Sequence, residues 1–298
     1  MTTAAEKISP AKIWFLAARP KTLPAGLVPA LCGGALAYAE NVFHLPSFLA
    51  AVFGAVMIQI GANYANDLFD HLKRTDTAER IGPTRATQAG WVTPKQMALA
   101  TAVVSTLATL AGIYLVYRGG WPIVIIGLAS IACGILYTAG PLALGYIGVA
   151  DLFVLIFFGP VALAGTFYVQ ALTVTWPIIA AGFAFGMIST AILTVNNLRD
   201  IETDRKGGKK SLAVIFGRMF ARMEYVVMLV GAVVVAIVPA ITERKPFLFL
   251  TILYLPMAIG PIKTVFTSTD GERLNNTLAA TGRLLLVYGF LFSLGWML

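Results

Sequence analysis

Nine stretches of this chain are each apolar for close to the roughly 20 residues that an α-helix needs to cross a bilayer. They cover residues 22–40, 46–66, 96–117, 121–138, 149–170, 176–197, 223–241, 246–266 and 277–297. In hydrocarbon every backbone N–H and C=O must be satisfied within the protein, which leaves helices or a closed strand barrel as the only spanning structures. Barrel strands are short and alternate polar with apolar residues, whereas these stretches are continuous and rich in Leu, Ile, Val and Ala. The chain therefore reads as an all-α integral membrane protein of nine transmembrane helices, a single domain over residues 1–298. Its 58% hydrophobic content exceeds the roughly 45–50% of soluble domains.

The bases choose an orientation. Loops on the cytoplasmic side of a membrane collect Lys and Arg, and with the N-terminus inside, only Arg118, Arg244 and Lys245 of the 22 bases fall outside. The C-terminus is then outside. The net charge of +8 does not call for nucleic acid as a partner, because the bases sit in short loops beside the spans. The polar segment 1–12 precedes a full-length span and does not read as a cleavable signal. Cys32 and Cys133 stand singly within spans, without metal-type spacing, and read as small packing residues.

Two loops break the apolar pattern. In residues 61–90, GANYANDLFDHLKRTDTAERIGPTRATQAG, Asn63, Asn66, Asp67 and Asp70 recur three and four apart, so a helix continuing to about Asp70 gathers them on one face. Residues 196–210, NNLRDIETDRKGGKK, repeat the design with Asn196, Asn197, Asp200 and Asp204. The first follows the second span and the second follows the sixth, so both open on the cytoplasmic face. Each also follows the second helix of a four-helix block, which suggests a duplicated unit, about 12–147 and 148–266, with the span 277–297 added.

Seven of the 14 acidic residues lie in these loops: Asp67, Asp70, Asp76, Glu79, Asp200, Glu202 and Asp204. Carboxylates at the edge of hydrocarbon must be neutralised. Oxygen-only donors suit a hard cation, and Mg²⁺ takes a few carboxylates and completes its octahedron with water and phosphate oxygens. The bases threaded through the same loops, Arg74, Arg80, Arg85, Arg199, Lys209 and Lys210, suit a diphosphate; Lys73, Lys206 and Arg222 serve equally as membrane anchors. A metal-held diphosphate beside an apolar interior suggests ionisation of an allylic diphosphate whose tail lies among the spans. Tyr137, closing the fourth span, is one of several aromatic residues available to face a cation. Asp151, at the start of the fifth span, reads as a cap or an interhelical hydrogen-bonding group.

These residues resemble the two aspartate-rich motifs of the UbiA superfamily of intramembrane aromatic prenyltransferases. The segments RPKTLPAGLVPALCGGALA from Arg19, ERIGPTRATQAGWVTPKQM from Glu79 and GYIGVADLFVLIFFGPVALAGTFYVQ from Gly145 look like the subfamily that prenylates 1,4-dihydroxy-2-naphthoate in menaquinone biosynthesis. The resemblance implies a bundle in a bacterial plasma membrane whose cytoplasmic loops cap a cavity. It implies Mg²⁺ among Asn63, Asp67, Asp70, Asp76, Asn197, Asp200 and Asp204, and a polyprenyl diphosphate near Arg19, Lys209 and Lys210. Arg85 and Gln88 are the guanidinium and amide that suit an acceptor carboxylate. Competing readings are another aromatic acceptor, such as 4-hydroxybenzoate or homogentisate, a phytyl donor, or a transporter of cations or lipid phosphates.

Overall fold

The computed structural model describes residues 8–72, 85–138 and 148–298, and only the backbone of residues 131 and 133–138. Among the described residues every regular element is helical: α1 (Pro10–Ala17), a 3-10 turn (Pro20–Thr22), α2 (Leu23–Ala39), α3 (Leu45–Leu72), α4 (Pro94–Gly119), α5 (Trp121–Thr138), α6 (Ala150–Ile156), a π turn (Phe157–Val161), α7 (Ala162–Ala171), α8 (Trp176–Lys206), α9 (Leu212–Thr242), a 3-10 stretch (Pro246–Tyr254), α10 (Leu255–Thr267) and α11 (Gly271–Met297). Seven helical units are long and apolar enough to cross a membrane, and α2 and part of α5 form shorter apolar helices. On α4, Leu99, Val103, Leu110 and Ile113 face outward and are at least half exposed. Such a stripe is stable only against lipid, so the chain is a multi-pass membrane protein.

Local chemistry sets the helix starts. Thr93 and Gln96 form a reciprocal capping box at α4, with Gln96 N donating to Thr93 Oγ1 at 3.3 Å and Thr93 N to Gln96 Oε1 at 2.8 Å. Asp270 caps α11 by accepting from Arg273 N at 2.8 Å, and Ser211 caps α9. The α9 start lies well before the predicted span at 223. Its first turns are amphipathic, with Ala213 and Ala221 buried and Arg218 and Arg222 only partly so, and a purely apolar window passes over such a segment.

Two cores of unequal size hold the bundle. The larger joins α2 and α7–α11 around an aromatic series, Phe185, Tyr288, Phe292 and Trp296, whose successive centroids lie 5.2–6.0 Å apart. The smaller packs Tyr64 and Leu68 of α3 against Ala17, Ala18, Ala86, Val92 and Met97. Where α6 turns into α7, the π turn carries Gly159 and Pro160 directly over Gly182 and Gly186 of α8. A Cβ on Gly182 would stand 2.5 Å from Pro160 Cα, and one on Gly186 would collide with the Leu155 carbonyl. Glycines four apart are what allow backbones to meet this closely.

Candidate active site

At 28 residues, α3 is about 42 Å long, more than the roughly 30 Å hydrocarbon layer. Its last turns carry Asn63, Asp67 and Asp70 on one face, all buried. Asn63 donates its side-chain amide to the Ala18 carbonyl at 2.9 Å and to Thr22 Oγ1 at 3.4 Å, tying the N-terminal segment to α3. Arg19 lies between these partners in a left-handed conformation with φ of 53°, and its carbonyl accepts from Thr22 Oγ1 at 3.0 Å. The Asp67 carboxylate accepts from the backbone N–H groups of Ala86 at 2.8 Å and Thr87 at 3.1 Å, and from the Thr87 hydroxyl. Asp70 pairs with the guanidinium of Arg85, itself buried. Residues 85–87 are thereby clamped onto this face of α3.

The second set repeats this on α8, which is also far longer than the layer is thick. Asn197, Asp200 and Asp204 share a face. Buried Arg199 donates through Nε to Asp200 Oδ1 at 2.7 Å and also bonds Asn196 at 2.9 Å and Asn275 of α11. After the helix, Gly208 takes φ of 74°, a conformation costly for any side chain, and the turn returns Lys209 to Asp204, Nζ to Oδ1 at 3.4 Å.

Both sets lie at one end of the bundle. The 3-10 turn bonded to Asn63 packs its Lys21 carbonyl against Gly282 of α11, and the same helix, seven residues earlier, holds Arg199 through Asn275. Parts of the motifs separated by more than a hundred residues therefore meet around the first turns of α11. Among the described residues, however, no three Asp, Glu, His or Cys side chains gather closely enough to hold a metal ion. Asp70, Asp200 and Asp204 are instead each matched to a base, and both oxygens of Asp67 are occupied by the loop. The donor chemistry suits a hard cation, while the present pairing is that of an acid-base lattice.

Of the other predicted residues, Asn197 is buried, Asn66 half-buried, and Gln88 and Lys210 exposed. Arg85, expected at an acceptor carboxylate, is bound to Asp70. Tyr137 ends α5, and its side chain, like the whole of Asp76, lies outside the described residues. Thr87 and Asn275 were not anticipated, since neither belongs to an acidic motif and each acts through a partner distant in sequence. Asp151 departs from expectation. It makes no cap bond, and neither carboxylate oxygen has a hydrogen-bond partner on any other residue, although Asp151 is only 5% exposed.

Long membrane helices thus bring two Asn/Asp sets with their bases to one end of a bundle. The UbiA prenyltransferase family matches residues 26–296, and the chain belongs to it. It is 34% identical to the 1,4-dihydroxy-2-naphthoate octaprenyltransferase of Escherichia coli (strain K12), over 97% of this chain and 96% of the relative. It is 36% identical to that of Mycobacterium tuberculosis, over 92% and 93%. Among solved structures, a UbiA homolog from Archaeoglobus fulgidus bound to GPP and Mg²⁺ aligns with a TM-score of 0.58, covering 94% of this chain and 99% of its own at 17% identity. The apo UbiA homolog from Aeropyrum pernix K1 aligns with a TM-score of 0.65 over 90% and 95%, also at 17% identity. These two speak for the fold.

Proposed function

We propose that the chain transfers a polyprenyl group from a polyprenyl diphosphate to 1,4-dihydroxy-2-naphthoate, with loss of CO₂ and diphosphate, giving demethylmenaquinol. The observation that carries this reading is 32–36% identity, along nearly the whole chain, to five bacterial relatives of that one named activity. On this reading the diphosphate lies between the two motif sets, where Arg85, Arg199 and Lys209, with Arg19 and Lys210, give it charge-assisted hydrogen bonds. Asp70, Asp200 and Asp204, with the amide oxygens of Asn63 and Asn197, would hold Mg²⁺, which when bound would supply electrostatic stabilisation to the departing diphosphate. Asp67 keeps the loop in place. The isoprenoid tail lies among the spans, where the apolar interior excludes water from the allylic cation. The ring carbon bearing the carboxylate bonds to C1 of the prenyl group as the C–O bond to diphosphate breaks. CO₂ then departs, leaving its bonding electron pair to restore aromaticity.

The reading places α2 and α5 among nine spans in two four-helix blocks plus α11. The N-terminus faces the cytoplasm of a bacterial plasma membrane. Purified protein supplied with Mg²⁺, a polyprenyl diphosphate and a panel of aromatic acceptors is expected to make prenylated naphthol with release of CO₂. A panel yielding product only from 4-hydroxybenzoate or homogentisate, or none at all, overturns the proposal. Chelating the divalent cation is expected to stop turnover, and adding Mg²⁺ back to restore it. A phytyl donor is the second reading, favoured by 27% identity to the 2-carboxy-1,4-naphthoquinone phytyltransferase of Synechocystis over 96% of this chain. Competition between phytyl and polyprenyl diphosphates decides between the donors.

A further inference from the structure

Among the described residues, Asp151 is a buried acid that the base-matched lattice above does not explain. Its carboxylate is buried at the start of α6, where a charge without partners is strongly destabilising, so its retention asks for an occupant that supplies donors. The surroundings narrow the choice. The Asp151 carbonyl lies 3.4 Å from Thr190 Oγ1 on α8. One turn further along α8, the Thr194 hydroxyl donates to the Thr190 carbonyl at 2.9 Å, and half-buried Glu224 of α9 lies near enough to Asp151 for the two carboxyls to interact. Ser189, beside Thr190, has a buried hydroxyl without a hydrogen-bond partner in the protein. Thr190 and Thr194 continue the helical face that bears Asn197 and Asp204, and they lie about 15 and 9 Å along the axis from Asp200. Polar side chains of α6, α8 and α9 thus gather below the second motif set and toward the apolar interior.

A diphosphate offers these carboxyls only repulsion, and an isoprenoid chain has no group to offer them; the naphthoate carries a single carboxylate, which the bases of the motif sets can hold away from Asp151. An aromatic diol has two O–H donors. We propose that Asp151, with Glu224 and the Thr190–Thr194 turn of α8, forms the subsite that receives the hydroxyl groups of the aromatic acceptor. This rests on the prenyltransferase reading above and deepens it. As the ring carbon bonds to the prenyl C1, positive charge spreads onto the adjacent hydroxyl oxygen. The Asp151 carboxylate accepts the hydrogen bond from that O–H and opposes the charge. The proton stays on oxygen, since loss of CO₂ returns the electron pair to the ring.

The test uses full-length protein in detergent, with acceptor binding measured by quenching of naphthoate fluorescence, separately from turnover. Asp151→Asn and Glu224→Gln are expected to weaken binding of 1,4-dihydroxy-2-naphthoate by about tenfold or more, the scale of a lost charge-assisted hydrogen bond. Affinity for the polyprenyl diphosphate stays unchanged. Wild type is expected to discriminate against 1-hydroxy-2-naphthoate or 4-hydroxy-2-naphthoate, and Asp151→Asn to lose that discrimination. Acceptor affinity and discrimination both unchanged in folded Asp151→Asn overturn the inference, as does Mn²⁺ bound between Asp151 and Glu224. Should either variant fail to fold, photo-crosslinking an azido-naphthoate to wild type decides. Label on residues 149–152, 189–194 or 221–225 supports the subsite, and label confined elsewhere removes it. Wild type that prenylates no naphthoate defeats the underlying reading instead.

Discussion

Asp67 and Asp70 stand three residues apart in one motif and do different work. Asp67 spends both oxygens on the backbone of Ala86 and Thr87, while Asp70 faces a guanidinium. Asp67→Ala leaves buried N–H groups without an acceptor, at about 1–3 kcal/mol each. We expect a lower melting temperature in detergent and faster proteolysis between α3 and α4. Asp200→Asn keeps the shape of the side chain and removes its charge. Turnover is expected to fall about a hundredfold or more with membrane insertion unchanged, read by product formation beside a fluorescence melting curve. The sequence made the acids legible because three-and-four spacing survives translation into a helix face. It could not separate the clamp from the charge-bearing group, because that distinction depends on which turn of a distant loop returns to which carboxylate. Asp151 was misread for the same reason: a first-turn aspartate suggests a cap, and only packing shows that its oxygens are left without donors from other residues.

At the scale of elements, the crossing of α8 beneath the kink between α6 and α7 is the most exacting contact in the fold. Gly186→Leu must drive a side chain into the Leu155 carbonyl, and overpacking of this kind costs about 1–3 kcal/mol or more. Gly112→Ala on α4, where an added methyl meets nothing within 4 Å, is the control and is expected to be neutral or slightly stabilising. Melting of the two variants side by side checks both. Helix identity was readable from apolar length, and starts were readable from caps such as Thr93 with Gln96. The beginning of α9 was not, because its amphipathic first turns, bent at Gly217 where φ is 86°, carry too many polar residues for a window average. Nor does a run of apolar letters reveal that Pro246–Tyr254 winds as a 3-10 stretch.

Over the whole molecule, the asymmetry of bases and the shared end of the two motif sets make one statement about sidedness. Single cysteines placed at Lys245 and Lys209 in a background without Cys32 and Cys133 are expected to label from opposite faces of sealed vesicles. Labelling from the same face overturns the topology. The architecture also divides unevenly. The broad aromatic core gathers α2 and α7–α11, while residues 85–93 ahead of α4 rest on the small cluster of Tyr64, Leu68, Ala86, Val92 and Met97, flanked by an α4 whose apolar window has no buried residue. For that corner the surrounding lipid is a missing wall. Harsh delipidation should therefore silence the protein while circular dichroism still reports its helices, and returning phospholipid should revive it without any refolding of the larger half.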